Sequence, residues 1–148
     1  MSIEADLPLS VTQMVRDACL CLHTQRAARA LARRFDEAFR SLGLTNGQFS
    51  LLMALNRPEP PALGSVAALL AMDRTTLTAA VKPLERRKLV KVATDKKDRR
   101  SRRLVLSAAG REVLLKALPI WKAEHAALER ELQAFPLPEV RAALIKMT

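Results

Sequence analysis

The chain has 148 residues, 49% of them hydrophobic but only 3% aromatic and none of them Tyr, so one domain with a core of Leu, Ala and Val is the expected size and make-up. Four glycines leave no phosphate-cradling loop, and neither a paired zinc-ligand spacing nor a Gly-x-Ser-x-Gly turn occurs, which argues against an enzyme and against any metal or other cofactor. No apolar run reaches the roughly 18 residues of a membrane span, and no signal segment precedes the first helix, so the expectation is a cytoplasmic protein without a membrane partner.

Ser10 and Gln13 have the spacing of a capping box, which predicts a helix start. From there to about Ser41 neither Pro nor Gly intervenes, and Ala28, Leu31, Phe35, Ala38 and Leu42 mark one apolar side of a single long helix. Its other side carries Arg26, Arg29, Arg33 and Arg40, which reads as a solvated face. Within it lie Cys19, Cys21 and His23. The cysteines, two apart, point to nearly opposite sides of a helix, whereas Cys19 and His23 share a face on which an imidazolium lowers a thiol pKa. Core packing is the expected reading of these thiols, with redox sensing and metal binding as alternatives.

Thr45 and Gln48 repeat the capping-box spacing for a second helix over about Gln48 to Asn56, with Phe49, Leu52, Met53 and Leu55 buried. Arg57 to Pro61 breaks regular structure. Leu63 and Gly64 are expected as a short strand, and Ser65 as the cap of a helix over Val66 to Ala71. Asp73 caps the next helix, with Leu77, Ala80, Val81 and Leu84 inward and Thr75, Thr78, Lys82 and Arg86 outward. Two short apolar runs, Leu89 to Val92 and Leu104 to Leu106, then flank a charged tip and predict a two-stranded ribbon. Ser107 starts a long helix to about Phe135, kinked at Pro119, with Val113, Leu114, Leu118, Trp121, His125, Leu128 and Leu132 as its stripe. Pro138 opens a final helix with Val140, Leu144 and Met147 on one side.

Charge is not spread evenly along this path. Between residues 74 and 116 fourteen Lys or Arg stand against four acids, so this segment carries the whole net charge of +10. One basic region on an otherwise balanced chain points to a polyanionic partner, and nucleic acid leads. Hydroxyls at the start of a helix suit base edges and cations further along suit phosphates.

The order SVAALLAMDRTTLTAAVKPLERRKLV, then Asp98-Arg99-Arg100, then LVLSAAGREVL resembles the MarR family of bacterial winged helix-turn-helix regulators, from about Val11 to the C-terminus. Two departures stand out: Lys88 where the family usually has Gly, and Pro83 inside the recognition helix, where it removes a backbone hydrogen bond. The resemblance implies a mainly α fold with a small β-wing. Residues 1–148 would form one domain, with a winged helix-turn-helix lobe over 45–106 and a helical dimerisation layer over 10–42 and 107–148. It implies a homodimer on a pseudo-palindromic site in double-stranded DNA, most readily a repressor released by a small effector such as an aromatic acid. Arg74, Thr75, Thr76, Thr78, Lys82 and Arg86 of the recognition helix and Lys97, Arg99, Arg100 and Arg102 of the wing are the candidate DNA contacts. Arg29, with Cys19, Cys21 and His23, is a candidate for ligand or redox sensing. Cys21 is similar in position to the sensing cysteine of OhrR-type members, whose neighbouring tyrosines this chain lacks. From another class, an architectural DNA binder without sequence preference would carry a similar basic patch.

Overall fold

The computed structural model describes residues 7–148. Seven α-helices and one antiparallel pair of strands follow in the order α1 (Leu9–Ala18), α2 (Leu20–Ala38), α3 (Asn46–Ala54), α4 (Leu63–Leu69), α5 (Arg74–Arg86), β1 (Val90–Thr94), β2 (Arg102–Leu106), α6 (Ala108–Glu131) and α7 (Leu137–Lys146). The mainly α fold with a small β-wing is therefore present.

The expected first helix is two helices. Cys19 adopts extended backbone (ψ 107°) and separates α1 from α2. Its N–H still bonds Val15 at 2.9 Å to close α1, while its Sγ accepts the Leu22 N–H at 3.4 Å to open α2. Neither Gly nor Pro marks the break, so periodicity alone reads through it. Ser10 is not the cap: α1 begins at Leu9 behind Pro8, whose extended backbone and missing N–H suit a helix entrance. The Thr45–Gln48 capping box does form, with both reciprocal bonds at 3.1 Å. Between α2 and that box a 3-10 turn (Arg40–Leu42) ends in Gly43 at φ +62°, the left-handed region that favours glycine.

Four further expectations shift. Leu63 and Gly64 open α4 and are not a strand; the third strand shrinks to one bridge, Ala62 with Arg103, and the Leu104 N–H donating to Pro61 at 3.0 Å. Pro60 and Pro61 have no N–H to extend that ladder. Ser65 likewise does not cap, its hydroxyl donating back to Ala62 at 2.9 Å from inside α4. Met53 is 40% exposed, and Leu51 takes its place in the core. The long helix α6 ends at Glu131, short of Phe135, and runs without interruption through Pro119.

The core joins the C-terminal part of α2 to α3, α4, α5, the ribbon and the first half of α6. Phe39, Leu52, Val66, Leu77, Leu84, Leu104 and Ala117 are all fully buried in it. Phe39 stacks on Phe49 at 4.8 Å, and the aromatic run continues through Trp121 to His125, so nearly all the aromatic area sits at one seam. The turn from Leu106 through Ser107 to Gly110 is explained by contact. Ser107 Oγ accepts the Gly110 N–H at 3.0 Å, and a Cβ on Gly110 would meet the Leu89 carbonyl oxygen at 2.3 Å.

Candidate nucleic-acid interface

Helix α5 owes its register to its first residues. Asp73 accepts the Thr76 N–H and the Thr76 hydroxyl, both at 2.7 Å, and these bonds hold its carboxyl below the ordinary carboxylate range. With that start, Leu77, Val81 and Leu84 are buried, while Thr75, Thr78, Lys82 and Arg86 are exposed on the other side. Arg74 lies over α4, where a Cβ on Gly64 would come within 2.8 Å of its guanidinium. The threonines are not equivalent. Thr76 spends its proton on the cap and Thr78 donates to the Arg74 carbonyl at 2.7 Å, whereas the Thr75 hydroxyl has no hydrogen-bond partner among the described residues. Sequence spacing treats the three alike; the structure leaves Thr75 with the uncommitted hydroxyl.

At the other end of α5, Lys88 takes φ +60°. It occupies the slot in which the family usually has glycine, and occupies it in a glycine-like conformation, so the chain turns into β1 there despite the larger residue. Pro83, the other departure, lies inside a continuous α5 and faces a hollow shared with Thr45, Gly47, Gln48 and Leu51 of the α3 entrance.

The ribbon pairs Val90 with Leu106 through Thr94 with Arg102, and its tip is built by two aspartates. Asp98 accepts the Arg100 N–H at 3.0 Å, which shapes the Asp98-Arg99-Arg100 turn. Asp95 accepts the Lys97 N–H at 3.0 Å and pairs with Arg103 at 3.1 Å. The Lys97 amide first and the Arg103 guanidinium second hold the Asp95 carboxyl low against desolvation. Arg103 also donates to the Pro60 carbonyl at 2.6 Å, so it fixes the wing to the loop before α4. Arg102 bonds Thr94 at 3.1 Å across the ribbon. Lys96, Lys97, Arg99 and Arg100 are exposed, and no side-chain partner for them occurs among the described residues. Helix α5 and the wing thus present exposed cations without side-chain hydrogen-bond or salt-bridge partners among the described residues.

Sequence reasoning missed the arginines that act as ties. Arg34 on α2 bonds both Glu131 oxygens at 2.8 Å and pairs with Glu124, joining α2 to α6. Glu131 first and Glu124 second raise its pKa, and it in turn lowers that of Glu131. No spacing rule links residues about ninety apart in the chain; only charge sign hinted at the pair.

The thiols are not core residues. Cys21 is exposed and accepts from Gln25 Nε2 at 3.2 Å, and Cys19 is the half-buried cap of α2. The helix break also undoes the expected Cys19–His23 pairing, since His23 Nε2 bonds the Asp17 carbonyl at 3.2 Å. Arg29 lies on an exposed basic face of α2 with His23, Arg26 and Arg33. On a different side, an apolar cavity of about 400 Å³ is walled by Phe49, Ser50, Met53, Leu69, Leu118 and Trp121, among others.

Comparison with known proteins follows the same lines. A family model described as MarR family matches residues 42–101, from the turn after α2 to the wing. The transcriptional activatory protein BadR of Rhodopseudomonas palustris is 34% identical over 91 residues, which is 60% of this chain and 52% of BadR. The chain thus matches about half the length of that curated relative. Among solved structures, the M. tuberculosis transcriptional regulator MosR in complex with DNA is 36% identical with a TM-score of 0.79, covering 87% of this chain and 92% of MosR. A probable transcriptional regulator from Pseudomonas aeruginosa is 25% identical with a TM-score of 0.75, covering 89% of this chain and 98% of that one.

Proposed function

We propose, from the premise that this chain belongs to the MarR family, that it is a DNA-binding regulator of transcription with α5 in a major groove and the wing in the adjoining minor groove. One observation carries this reading: the outward face of α5 and the wing tip expose cations without side-chain partners among the described residues, while Arg103 ties the ribbon to Asp95 and to the Pro60 carbonyl beside them. Lys82, Arg86, Lys97, Arg99 and Arg100 supply sequence-independent attraction, and Thr75 and Thr78 stand where base edges pass. MosR, 36% identical to this chain, was solved in complex with DNA.

The remaining surface supports a homodimer. Helix α1 buries no residue and exposes Leu9 (70%), Met14 and Val15; α7 buries none and exposes Val140, Leu144, Ile145 (72%) and Met147. Such apolar area on separate terminal helices calls for a partner, and a second copy places two α5 helices for a pseudo-palindromic site. On this division residues 45–106 form the DNA lobe, and 10–42 with 107–148 the dimer layer. No helix among the described residues is long and apolar enough to cross a membrane, and the reading puts the protein with the DNA in the cytoplasm.

A small effector in the apolar cavity between α3, α4 and α6 would regulate binding. Its named walls carry no charged side chain, so an uncharged aromatic molecule suits it better than an aromatic acid. Repression is the first reading of the outcome; the name of BadR favours activation as the second. The exposure of Cys21 favours a third, oxidation sensing, in which its thiolate attacks a hydroperoxide, leaving a sulfenic acid on the sulfur and releasing an alcohol.

A competition experiment tests the core of the proposal. Binding to the chain's own promoter DNA should exceed binding to random duplex at the same salt by about 10³-fold or more. Equal affinity for both would instead identify an architectural binder.

A further inference from the structure

Arg87 stands in the run Arg86-Arg87-Lys88, and charge alone would assign it to DNA with its neighbours. Its guanidinium is engaged elsewhere. Nη1 donates to the Gly43 carbonyl at 2.7 Å and Nη2 to the Leu42 carbonyl at 3.3 Å, forty-four and forty-five residues away. Both carbonyls belong to the turn that ends the α2 segment, where the last peptide oxygens of a helical turn lack intrahelical donors and carry partial negative charge. Gly43 holds φ +62° there, with the guanidinium packed beside it at 3.7 Å from where a Cβ would stand. A planar fork can bridge two carbonyls at once, whereas an ammonium on a flexible stem offers a single point of contact.

The backbone of Arg87 is equally constrained. It caps the C-terminus of α5, its N–H donating to Pro83 at 3.1 Å, and Lys88 at φ +60° turns the chain into β1 immediately afterwards. The turn it grips is itself anchored. Asp36 of α2 accepts the Asn46 N–H at 2.6 Å and the Asn46 amide at 2.9 Å at the start of α3, and Arg34 holds α2 to Glu131 of α6. The far end of α5 is thereby joined through α2 to the long helix of the proposed dimer layer.

We infer that Arg87 is a positioning residue: it fixes the C-terminal end of the recognition helix on the Leu42–Gly43 turn, setting the angle at which α5 meets DNA, and does not itself bind phosphate. The consequence for DNA rests on the reading of α5 as the groove helix; the tie does not. Loss of the tie leaves the Asp73 cap and the outward cations in place, so general attraction persists while alignment with base edges is lost.

Three variants decide the matter: Arg87→Met, Arg87→Lys and, as the neighbouring control, Arg86→Met. In the free protein, hydrogen–deuterium exchange at residues 40–44 and 84–90 should quicken in Arg87→Met and stay at the wild-type rate in Arg86→Met. For DNA, the probes are the duplex that the wild-type protein selects from a random pool and a shuffled duplex of equal composition. The ratio of the two affinities should fall about tenfold in Arg87→Met, the scale of one lost base-pair match, with the salt dependence unchanged. Arg87→Lys, which keeps the charge but not the fork, should also lose selectivity, and it carries the test should the Met variant fail to fold. A salt slope reduced by about one with the ratio intact, or full recovery by Lys, would show a phosphate contact and overturn the inference. Unchanged exchange at 40–44 would overturn it too. A wild-type protein that selects no duplex would remove the DNA reading instead, and the exchange experiment would still judge the tie.

Discussion

The lobe from α3 to β2 and the two terminal helices place their apolar side chains in opposite ways. In the lobe Leu52, Val66, Leu77, Leu84 and Leu104 vanish from the surface and the cations come out. In α1 and α7 no residue is buried, and the apolar side chains are themselves the surface. The difference teaches what each region is complementary to. A cationic exterior over a closed core suits a polyanion; an apolar exterior with nothing beneath it suits another apolar face.

The sharpest way to break that comparison is to make α7 resemble the lobe's exterior. Leu144→Asp with Ile145→Asp should turn a micromolar dimer into a monomer in sedimentation and lower affinity for a full palindromic site by about 10²-fold or more, as paired half-sites lose their linkage. Wild type that sediments as a folded monomer would end the dimer reading. Binding to a single half-site should hardly change.

Within the lobe, helix and wing should fail differently. Thr75→Val removes the uncommitted hydroxyl and should cost about 1–3 kcal/mol at particular base pairs while leaving binding to random DNA intact. Arg100→Ala should weaken binding to every sequence and lower the salt slope by about one. Titrations against single-base operator variants at two salt concentrations compare them; a Thr75 variant that weakens equally on all duplexes would remove base reading from this face. Thr76 and Thr78, whose protons are bound within α5, should give smaller sequence-dependent losses than Thr75.

A weaker effect follows from pH. The Asp73 carboxyl lies below its ordinary range because the Thr76 amide and hydroxyl bond its ionised form. Its contribution is therefore complete above the unfolded carboxyl value of about 4 and is lost as pH falls through the lower folded value. Asp73→Asn, which can still cap, should flatten this part of the acid dependence of the melting temperature while keeping α5 intact. An acid limb identical to wild type would mean that Asp73 does not contribute to it.

The smallest effect belongs to Cys21→Ser. The only side-chain hydrogen bond to Cys21 among the described residues comes from Gln25, so DNA binding in reductant should be unchanged. If the thiol senses oxidation, cumene hydroperoxide should release wild type and not the variant; wild type that stays bound would close that reading.

Local chemistry alone determined a good part of this protein. Asp73, Thr45 and Ser107 announce helix starts because a cap satisfies amides within three residues of itself, and the α5 and α6 stripes follow from a 3.6-residue period. The concentration of charge between residues 74 and 116 is likewise a property of the chain, whatever its fold. Tertiary structure decided the rest. Ser10 and Ser65 have the right chemistry at the wrong place, because the chain enters α1 behind Pro8 and α4 behind Ala62. The break at Cys19 leaves no mark that periodicity can read. Which cations are free and which are committed was also beyond the sequence: Arg34, Arg87 and Arg103 find acceptors 43 to 97 residues away, whereas Arg86, Arg99 and Arg100 find none among the described residues. An arginine carries the same charge in either setting; its role is set by the carbonyl or carboxylate that folding brings within hydrogen-bond reach.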